Sequence, residues 1–235
     1  MYDLYFNWKF VWVKAGTAYM NITQSTYNGK PAYKTYLITR GSQKADRFFV
    51  MRDTLLSYCD LDLVPRYFRK GAYEGSTYRR NEVWYSYSGG ESHVKMRYQR
   101  NNNAPSIKKL HSHYCAFDMI SMLLRARSFD PNDFKVGTRM RFLMADGNNC
   151  DWQAIVYRGK KKFKMENSST TYRCLVFSFM ETENGGKGSR EVLYHRRQKP
   201  PPRASRPQPQ LRNGQSLLDG GQWHQKPADG EIEVI

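Results

Sequence analysis

Two histidines stand two residues apart in the segment "HSHY", where their side chains could serve as metal ligands. His111 and His113 fall on one side of the chain if this segment is extended, and Cys115 and Asp118 are the nearest further ligand types. A protein metal site needs three or four such ligands at defined geometry. Two histidines without clear partners are more typical of a solvated loop, so we predict no metal site.

The next segment places a serine between an acidic and a basic residue, an arrangement that could support nucleophilic chemistry. Asp118, Ser121 and Arg125 lie at or near the start of an apolar-periodic stretch. A nucleophilic serine needs a neighbouring general base, and the sequence identifies none. Aspartate near a helix N-terminus interacts favourably with the helix dipole. The three residues therefore predict helix capping and docking.

No other part of the sequence carries a catalytic signature. Glu74, Glu82 and Glu91 fall in different predicted strands and turns, so no acid–base pair can be assigned. A glycine-rich phosphate loop with its lysine is also missing from the sequence. We predict a protein that is not an enzyme, that has no catalytic residue and that uses no cofactor.

Positive charge is the strongest signal in the composition. The 235 residues include 38 Lys and Arg against 21 Asp and Glu, which gives a formal net charge of +17. Such a surplus favours anionic partners. The segment "RGKKKFKM", residues 158–165, interleaves basic and aromatic residues as nucleic-acid-binding sheets do. A hairpin tip at Gly159-Lys160 explains the same lysines, because charged residues suit an exposed turn, and we favour this interpretation.

Alternating aromatic and polar residues predict strands along most of the chain. The opening segment "YDLYFNWKFVWV" alternates as one strand, and Ala15-Gly16 indicates a bend or bulge where backbones approach. Asn28-Gly29 and Gly89-Gly90 predict hairpin turns, because these residues tolerate positive φ. One segment, "CAFDMISMLLRARSF", has helical spacing of its apolar residues. We predict a mainly β fold: a curved antiparallel sheet, barrel or half-barrel, with one short α-helix at about 115–129.

The cysteines and the hydropathy restrict the cellular context only weakly. Cys59, Cys115, Cys150 and Cys174 are widely spaced and form no CxxC pair. Buried free thiols are expected, although disulfides remain open and the sequence selects no pairing. No stretch approaches the ~18 apolar residues of a membrane span, so no transmembrane segment is predicted.

Three blocks in order give a resemblance to a known family. "YDLYFNWKFVWVKAGTA", "DTLLSYCDLDLVPRYF" and "DMISMLLRAR" resemble the family called domain of unknown function 3108, over about residues 2–184. The resemblance implies an exported, β-rich protein of the Gram-negative envelope, periplasmic or outer-membrane-associated, with no assigned activity. Exported members carry a signal peptide, whereas this sequence shows none before its first strand.

The C-terminal residues differ in composition from everything before them. We predict a single β-rich domain over residues 1–187 and a disordered Pro/Arg/Gln-rich tail over residues 188–235. Reading the tail's possible codons one base later allows an alternating strand pattern. We interpret the tail as a frameshifted reading of the last strands; a genuine low-complexity tail is the alternative.

These expectations combine into a functional hypothesis without catalysis. We predict an envelope protein whose concave sheet face binds a lipid or a glycan, since aromatic side chains can hold acyl chains or stack on sugar rings. The candidate ligand-binding residues are Trp8, Trp12, Tyr36, Tyr67 and Trp84. A basic nucleic-acid-binding protein of the cytosol is a less favoured alternative, and a structural envelope component without a small ligand is another.

Overall fold

Strands make up most of the described chain. The computed structural model describes residues 2–8, 11–47, 50–130, 132–164, 171–181, 189–195 and 233–234. These residues form an eight-stranded sheet, a six-stranded sheet and two helices. The larger sheet is not closed into a barrel, and its strands follow one another in chain order. The prediction of a mainly β fold with an open, half-barrel-like sheet and one short helix near residues 115–129 is therefore confirmed, and the four-residue helix at Gln43–Asp46 is additional.

The first sheet is an antiparallel meander in which every strand pairs with the next one along the chain. Its hairpins turn where predicted: Asn28 and Gly29 have φ of 49° and 76°, and Gly89 and Gly90 also have positive φ. Pro65 opens a strand, where its missing N–H costs no ladder bond. The strands are β1 (Tyr2–Trp8), β2 (Val11–Tyr27), β3 (Lys30–Gly41), β4 (Met51–Cys59), β5 (Pro65–Glu74), β6 (Thr77–Ser88), β7 (Glu91–Arg100) and β8 (Ser106–Ser112).

The second sheet is mixed, because its two shortest strands pair in parallel with their neighbours. A one-turn helix, α1 (Gln43–Asp46), lies between β3 and β4, and the longer α2 (Met119–Ser128) precedes the main strands of this sheet. The strands are β9 (Ala116–Phe117), β10 (Arg139–Ala145), β11 (Cys150–Lys164), β12 (Thr171–Glu181), β13 (Ser189–His195) and β14 (Glu233–Val234).

A capping box fixes the start of α2. The Asp118 carboxylate accepts a hydrogen bond from the Ser121 backbone N–H, and the Ser121 hydroxyl accepts one from the Asp118 N–H. The helix therefore begins at Met119, not at Cys115, because Ala116 and Phe117 pair with β10 as strand β9. It ends at Ser128, before Asp130-Pro131, as expected for a residue pair that disfavours helix.

Two hydrophobic clusters fill the interior, and α2 contributes to both. The first cluster joins the two sheets: it includes Phe68 and Val83 of the first sheet, Leu143 of β10 in the second sheet, and Ile120 of α2. The second lies against the second sheet and includes Phe142 and Met122. Residues of α2 thus pack against both sheets at once.

Two local predictions are corrected by the strand pairing. The opening alternation is not one strand, because β1 ends at Trp8 and β2 begins at Val11 to pair back on it. Gly159-Lys160 is not a hairpin tip: β11 continues through it to Lys164, with a register shift between Tyr157 and Gly159. Gly159 has φ of 101°, so it accommodates this bulge within the strand.

The bulge expected at Ala15-Gly16 is confirmed, since Leu4 pairs with Gly16 while Tyr5 pairs with Lys14. A Cβ on Gly16 would lie 2.1 Å from the Arg40 carbonyl oxygen, which shows how closely the backbones approach.

The predicted tail begins in a strand, because β13 pairs with β12 across seven residues. Residues 196–232 lie outside the described part, so the disorder and frameshift interpretations stay predictions.

Candidate ligand-binding face

The two faces of the first sheet differ in what covers them. Side chains alternate between faces, so Phe68, Val83 and Met96, which are cross-strand neighbours, share the inner face. These three are buried against the core that contains α2. Tyr67 and Trp84 occupy the opposite, outer face. Between β5 and β7 the inner face is therefore filled by protein, and there the outer face is the one that a ligand can reach.

An aromatic row crosses the outer face, defined by Tyr27, Tyr58, Tyr67 and Trp84. The three tyrosine rings contact one another, with centroids 5.3 Å apart for Tyr27 and Tyr58, 6.5 Å for Tyr58 and Tyr67, and 6.1 Å for Tyr27 and Tyr67. The ring centroids of Tyr67 and Trp84 are 5.7 Å apart. The row therefore spans β2 to β6, and every ring in it is partly exposed. Such rings present an apolar body with a polar edge to a ligand.

Two lysines lie over rings of this row. The Lys34 ammonium is 5.9 Å from the Tyr58 ring centroid, and the Lys95 ammonium is 5.3 Å from that of Trp84. At this distance the cation is attracted to the ring quadrupole. The row therefore combines aromatic surface with positive charge.

A buried carboxylate lies beside the aromatic row. The Glu82 side chain is 6% exposed and accepts hydrogen bonds from the Tyr67 hydroxyl at 2.8 Å, from Arg80 at 2.9 Å and from Arg97 at 2.8 Å. Burial pushes the pKa of Glu82 upward, but the hydrogen bonds from Arg80, Tyr67 and Arg97 outweigh it and lower the pKa. Glu82 is therefore ionised, and it fixes the positions of the Arg80 and Arg97 guanidinium groups.

Basic residues surround this carboxylate. Arg69 and Arg97 are the direct cross-strand neighbours of Glu82, on β5 and β7. One row further along the strands, Lys95 and Lys109 are direct neighbours on β7 and β8. The outer face between β5 and β8 thus carries several cations around a single buried carboxylate.

Three of the five candidates from the sequence lie on this face, and the side chains of the other two lie outside the described residues. Tyr36 lies on the outer face, where its hydroxyl accepts a hydrogen bond from the Asn21 amide at 3.2 Å and its ring centroid is 5.9 Å from that of Tyr19. Tyr67 and Trp84 lie in the aromatic row. Trp8 and Trp12 belong to β1 and β2, but their side chains lie outside the described residues.

Glu82, Arg80 and Arg97 were not candidates from the sequence, although a signal for them existed. Arg80 and Glu82 are two apart in a predicted strand and so share a face. A two-residue turn at Gly89-Gly90 fixes the β6–β7 register, which places Arg97 opposite Glu82. The predicted β6–β7 hairpin is therefore sufficient to place Arg80, Glu82 and Arg97 next to one another.

The histidines, the Asp118–Ser121 pair and the cysteines, which the sequence suggested for metal binding, nucleophilic chemistry or disulfides, are not part of the aromatic row. His111 Nδ1 and His113 Nε2 each lie 3.4 Å from the Glu91 carboxylate, and both side chains are largely exposed. Within the described part of the chain, no group of three His, Cys, Asp or Glu residues could hold a metal ion. Asp118 and Ser121 form the α2 cap, in line with the capping interpretation. The four cysteines are free thiols, of which Cys59 and Cys174 are buried.

A small apolar cavity lies between α2 and the second sheet. Its volume is ≈ 40 Å³. Sites for small organic ligands enclose about 300–1,000 Å³, so this cavity holds no such ligand as it stands. Its lining is entirely apolar: Met119, Met122, Leu123, Ala126, Ile155, Phe177 and Phe179.

The fold and the outer face together define a class of protein. This is a mainly β protein of two sheets that share a helix, with an aromatic and basic surface on the outer face of the larger sheet. None of the helices in the described ranges is long and apolar enough to cross a membrane. The chain belongs to the family of proteins of unknown function DUF3108, whose model matches residues 1–200. No curated protein and no solved structure matches the chain.

Proposed function

We propose that this chain is a non-catalytic protein of the bacterial envelope that binds a glycan on the outer face of its first sheet. The envelope location rests on what the sequence resemblance implies. The observation that carries glycan binding is the aromatic row, in which four partly exposed rings from β2, β4, β5 and β6 are spaced 5.3 to 6.5 Å apart. Sugars offer apolar C–H surfaces and hydroxyl groups, and tyrosine and tryptophan side chains complement both.

The geometry favours a glycan over a lipid. An acyl chain needs an enclosed apolar space, and the cavity between α2 and the second sheet has a volume of only ≈ 40 Å³. Between β5 and β7 the inner face of the first sheet offers no alternative, because Phe68, Val83 and Met96 are buried there in the core. An extended polar chain on an open surface suits the outer face better.

Calorimetric titration of the full chain with envelope polysaccharides tests this proposal. We expect Trp84→Ala to weaken glycan binding at least about tenfold, since central aromatic contacts often contribute 2 kcal/mol or more. Tyr73→Ala is the matched control, because Tyr73 is 51% exposed on the same face but lies outside the aromatic row. Equal affinity of the wild-type and Trp84→Ala proteins, or no binding of any polysaccharide, would refute glycan binding on this face.

The envelope location needs a separate measurement. Fractionation of cells that make the protein from its own gene is expected to recover it in the periplasmic or outer-membrane fraction. Recovery in the cytosolic fraction would refute the location and would favour the nucleic-acid alternative.

A further inference from the structure

The outer face carries more positive charge than its own acidic residues neutralise. Arg69, Arg80 and Arg97, here called the arginine cluster, surround the single carboxylate of Glu82. Lys95 and Lys109 lie on the same face, and neither forms an ion pair with any residue that the structure describes. The cluster alone leaves about two positive charges without a carboxylate counterpart.

Two of these positive charges repel each other. Lys95 and Lys109 are direct cross-strand neighbours on one face of the β7–β8 pair. Like charges placed directly opposite each other destabilise a sheet. A bound anion between these side chains would relieve that repulsion.

Two of the three arginines, Arg80 and Arg97, are also held in place before any ligand arrives. Arg97 donates from Nη1 to Glu82 and from Nη2 to Gln99, both at 2.8 Å, and Arg80 donates from Nη2 to Glu82. The Arg80 side chain nevertheless remains 41% exposed. Guanidinium groups fixed in this way lose little further conformational freedom on binding an anion.

We propose that the ligand of the outer face is a polyanionic glycan, whose carboxylate, sulfate or phosphate groups bind the arginine cluster and Lys95 and Lys109 while its sugar rings contact the aromatic row. This proposal rests on the proposed function and specifies its ligand. The two residue sets lie side by side, because Tyr67 and Trp84 are each two residues along the strand from Arg69 and Glu82. A chain with alternating sugar rings and charges can therefore contact both sets.

The ring geometry favours an acidic glycan over a nucleic acid. Stacked bases need open ring faces. Here neighbouring rings lie 5.3 to 6.5 Å apart and contact one another, and Lys34 and Lys95 lie over Tyr58 and Trp84. The exposed parts of these rings can still contact the C–H groups of a sugar, which does not need the full parallel overlap of a stacked base.

The test compares two double variants that lose the same charge. Lys95→Gln/Lys109→Gln removes two outer-face cations, whereas Lys160→Gln/Lys162→Gln removes two exposed lysines from β11 of the second sheet. Affinity for polygalacturonate, heparin, neutral dextran and single-stranded DNA is measured by calorimetry at two salt concentrations. We expect the first variant to bind the acidic glycans about tenfold more weakly and the second to lose less than about twofold.

The outcomes distinguish failure of the polyanionic ligand from failure of glycan binding itself. Equal losses in the two variants, equal affinity for dextran and acidic glycans, or binding that does not weaken as salt rises would overturn the polyanionic ligand. In those cases a loss of dextran binding in Trp84→Ala would leave the proposed function standing. Tighter binding of DNA than of any glycan would overturn both. Circular dichroism of each variant verifies that its fold is retained.

Discussion

The carboxylate of Asp118 makes the stability of this protein depend on pH in a defined direction. Asp118 is fully buried at the start of α2, where it accepts hydrogen bonds from the Ser121 N–H at 2.9 Å and from the Ser57 hydroxyl at 3.1 Å. Burial raises the pKa of this carboxyl from 3.8 to about 6, and the hydrogen bonds offset only part of the rise. The folded protein therefore binds this proton more tightly than the unfolded chain does.

The sign and size of the effect follow from the two pKa values. Because the folded pKa is the higher one, the stabilisation is fully present below pH 3.8 and is lost as the pH rises through about 6. The complete change corresponds to about 3 kcal/mol in the free energy of unfolding. Between about pH 4.5 and about pH 7.5 the loss is about 2 kcal/mol, because some of it has already occurred at the lower pH.

Replacement of Asp118 by asparagine isolates this contribution. Asparagine keeps the shape of the side chain and is itself a good N-cap, but it does not titrate. Urea unfolding at several pH values gives the free energy of unfolding for each protein. We expect the wild-type value to fall by about 2 kcal/mol relative to that of Asp118→Asn between about pH 4.5 and about pH 7.5.

Asp146→Asn provides the matched control. Asp146 also accepts backbone N–H bonds, from Asn148 and Asn149 at 2.7 Å, but it is exposed to solvent. We expect the free energy of unfolding of Asp146→Asn to differ less from that of the wild type than that of Asp118→Asn does, because the Asp146 side chain is exposed. A constant difference between the wild type and Asp118→Asn at all pH values would show that Asp118 does not titrate in this window, and the burial argument would then be wrong.

Three further predictions concern packing and reactivity. Gly16→Ala should lower the free energy of unfolding by about 1–3 kcal/mol, because its Cβ would lie 2.1 Å from the Arg40 carbonyl oxygen, and urea unfolding measures this. Ile120→Ala should cost about 2–5 kcal/mol because Ile120 is fully buried, whereas Met119→Ala, at a 42% exposed position of the same helix, should cost far less. Burial raises the pKa of the Cys59 thiol, so iodoacetamide should alkylate Cys59 in urea but not in the native protein, as mass spectrometry can show.

Features that depend on local chemistry were predictable from the sequence. Asn28-Gly29 specifies its hairpin because both residues adopt positive φ at little cost, and the apolar spacing before Asp130 specifies α2. The chain reversal between Trp8 and Val11 was missed because Lys9 and Phe10 carry no turn signal. Because aromatic and polar side chains alternate through residues 2–12, the sequence predicts a single strand there.

Features that depend on pairing between strands were harder to predict. Gly159 fits a turn as well as a bulge, and only the continued pairing of β11 with β12 as far as Lys164 decides between them. Tyr67 and Trp84 were named from aromatic density alone. Their contact with each other, and their position opposite the core, required the β5–β6 register. A one-residue slip in that register would place both on the other face.

The shared helix has a consequence for how the protein unfolds. Ile120 of α2 is part of the core of the first sheet, while Met122 and Ala126 are part of the core of the second. The two sheets also pack on each other directly, because Leu143 and Ala145 of β10 lie in the same cluster as Phe68 and Val83. Detachment of α2 would open both cores at once. The two sheets, although they form separate backbone ladders, should therefore melt in one cooperative transition, because they are coupled both through α2 and through this direct contact.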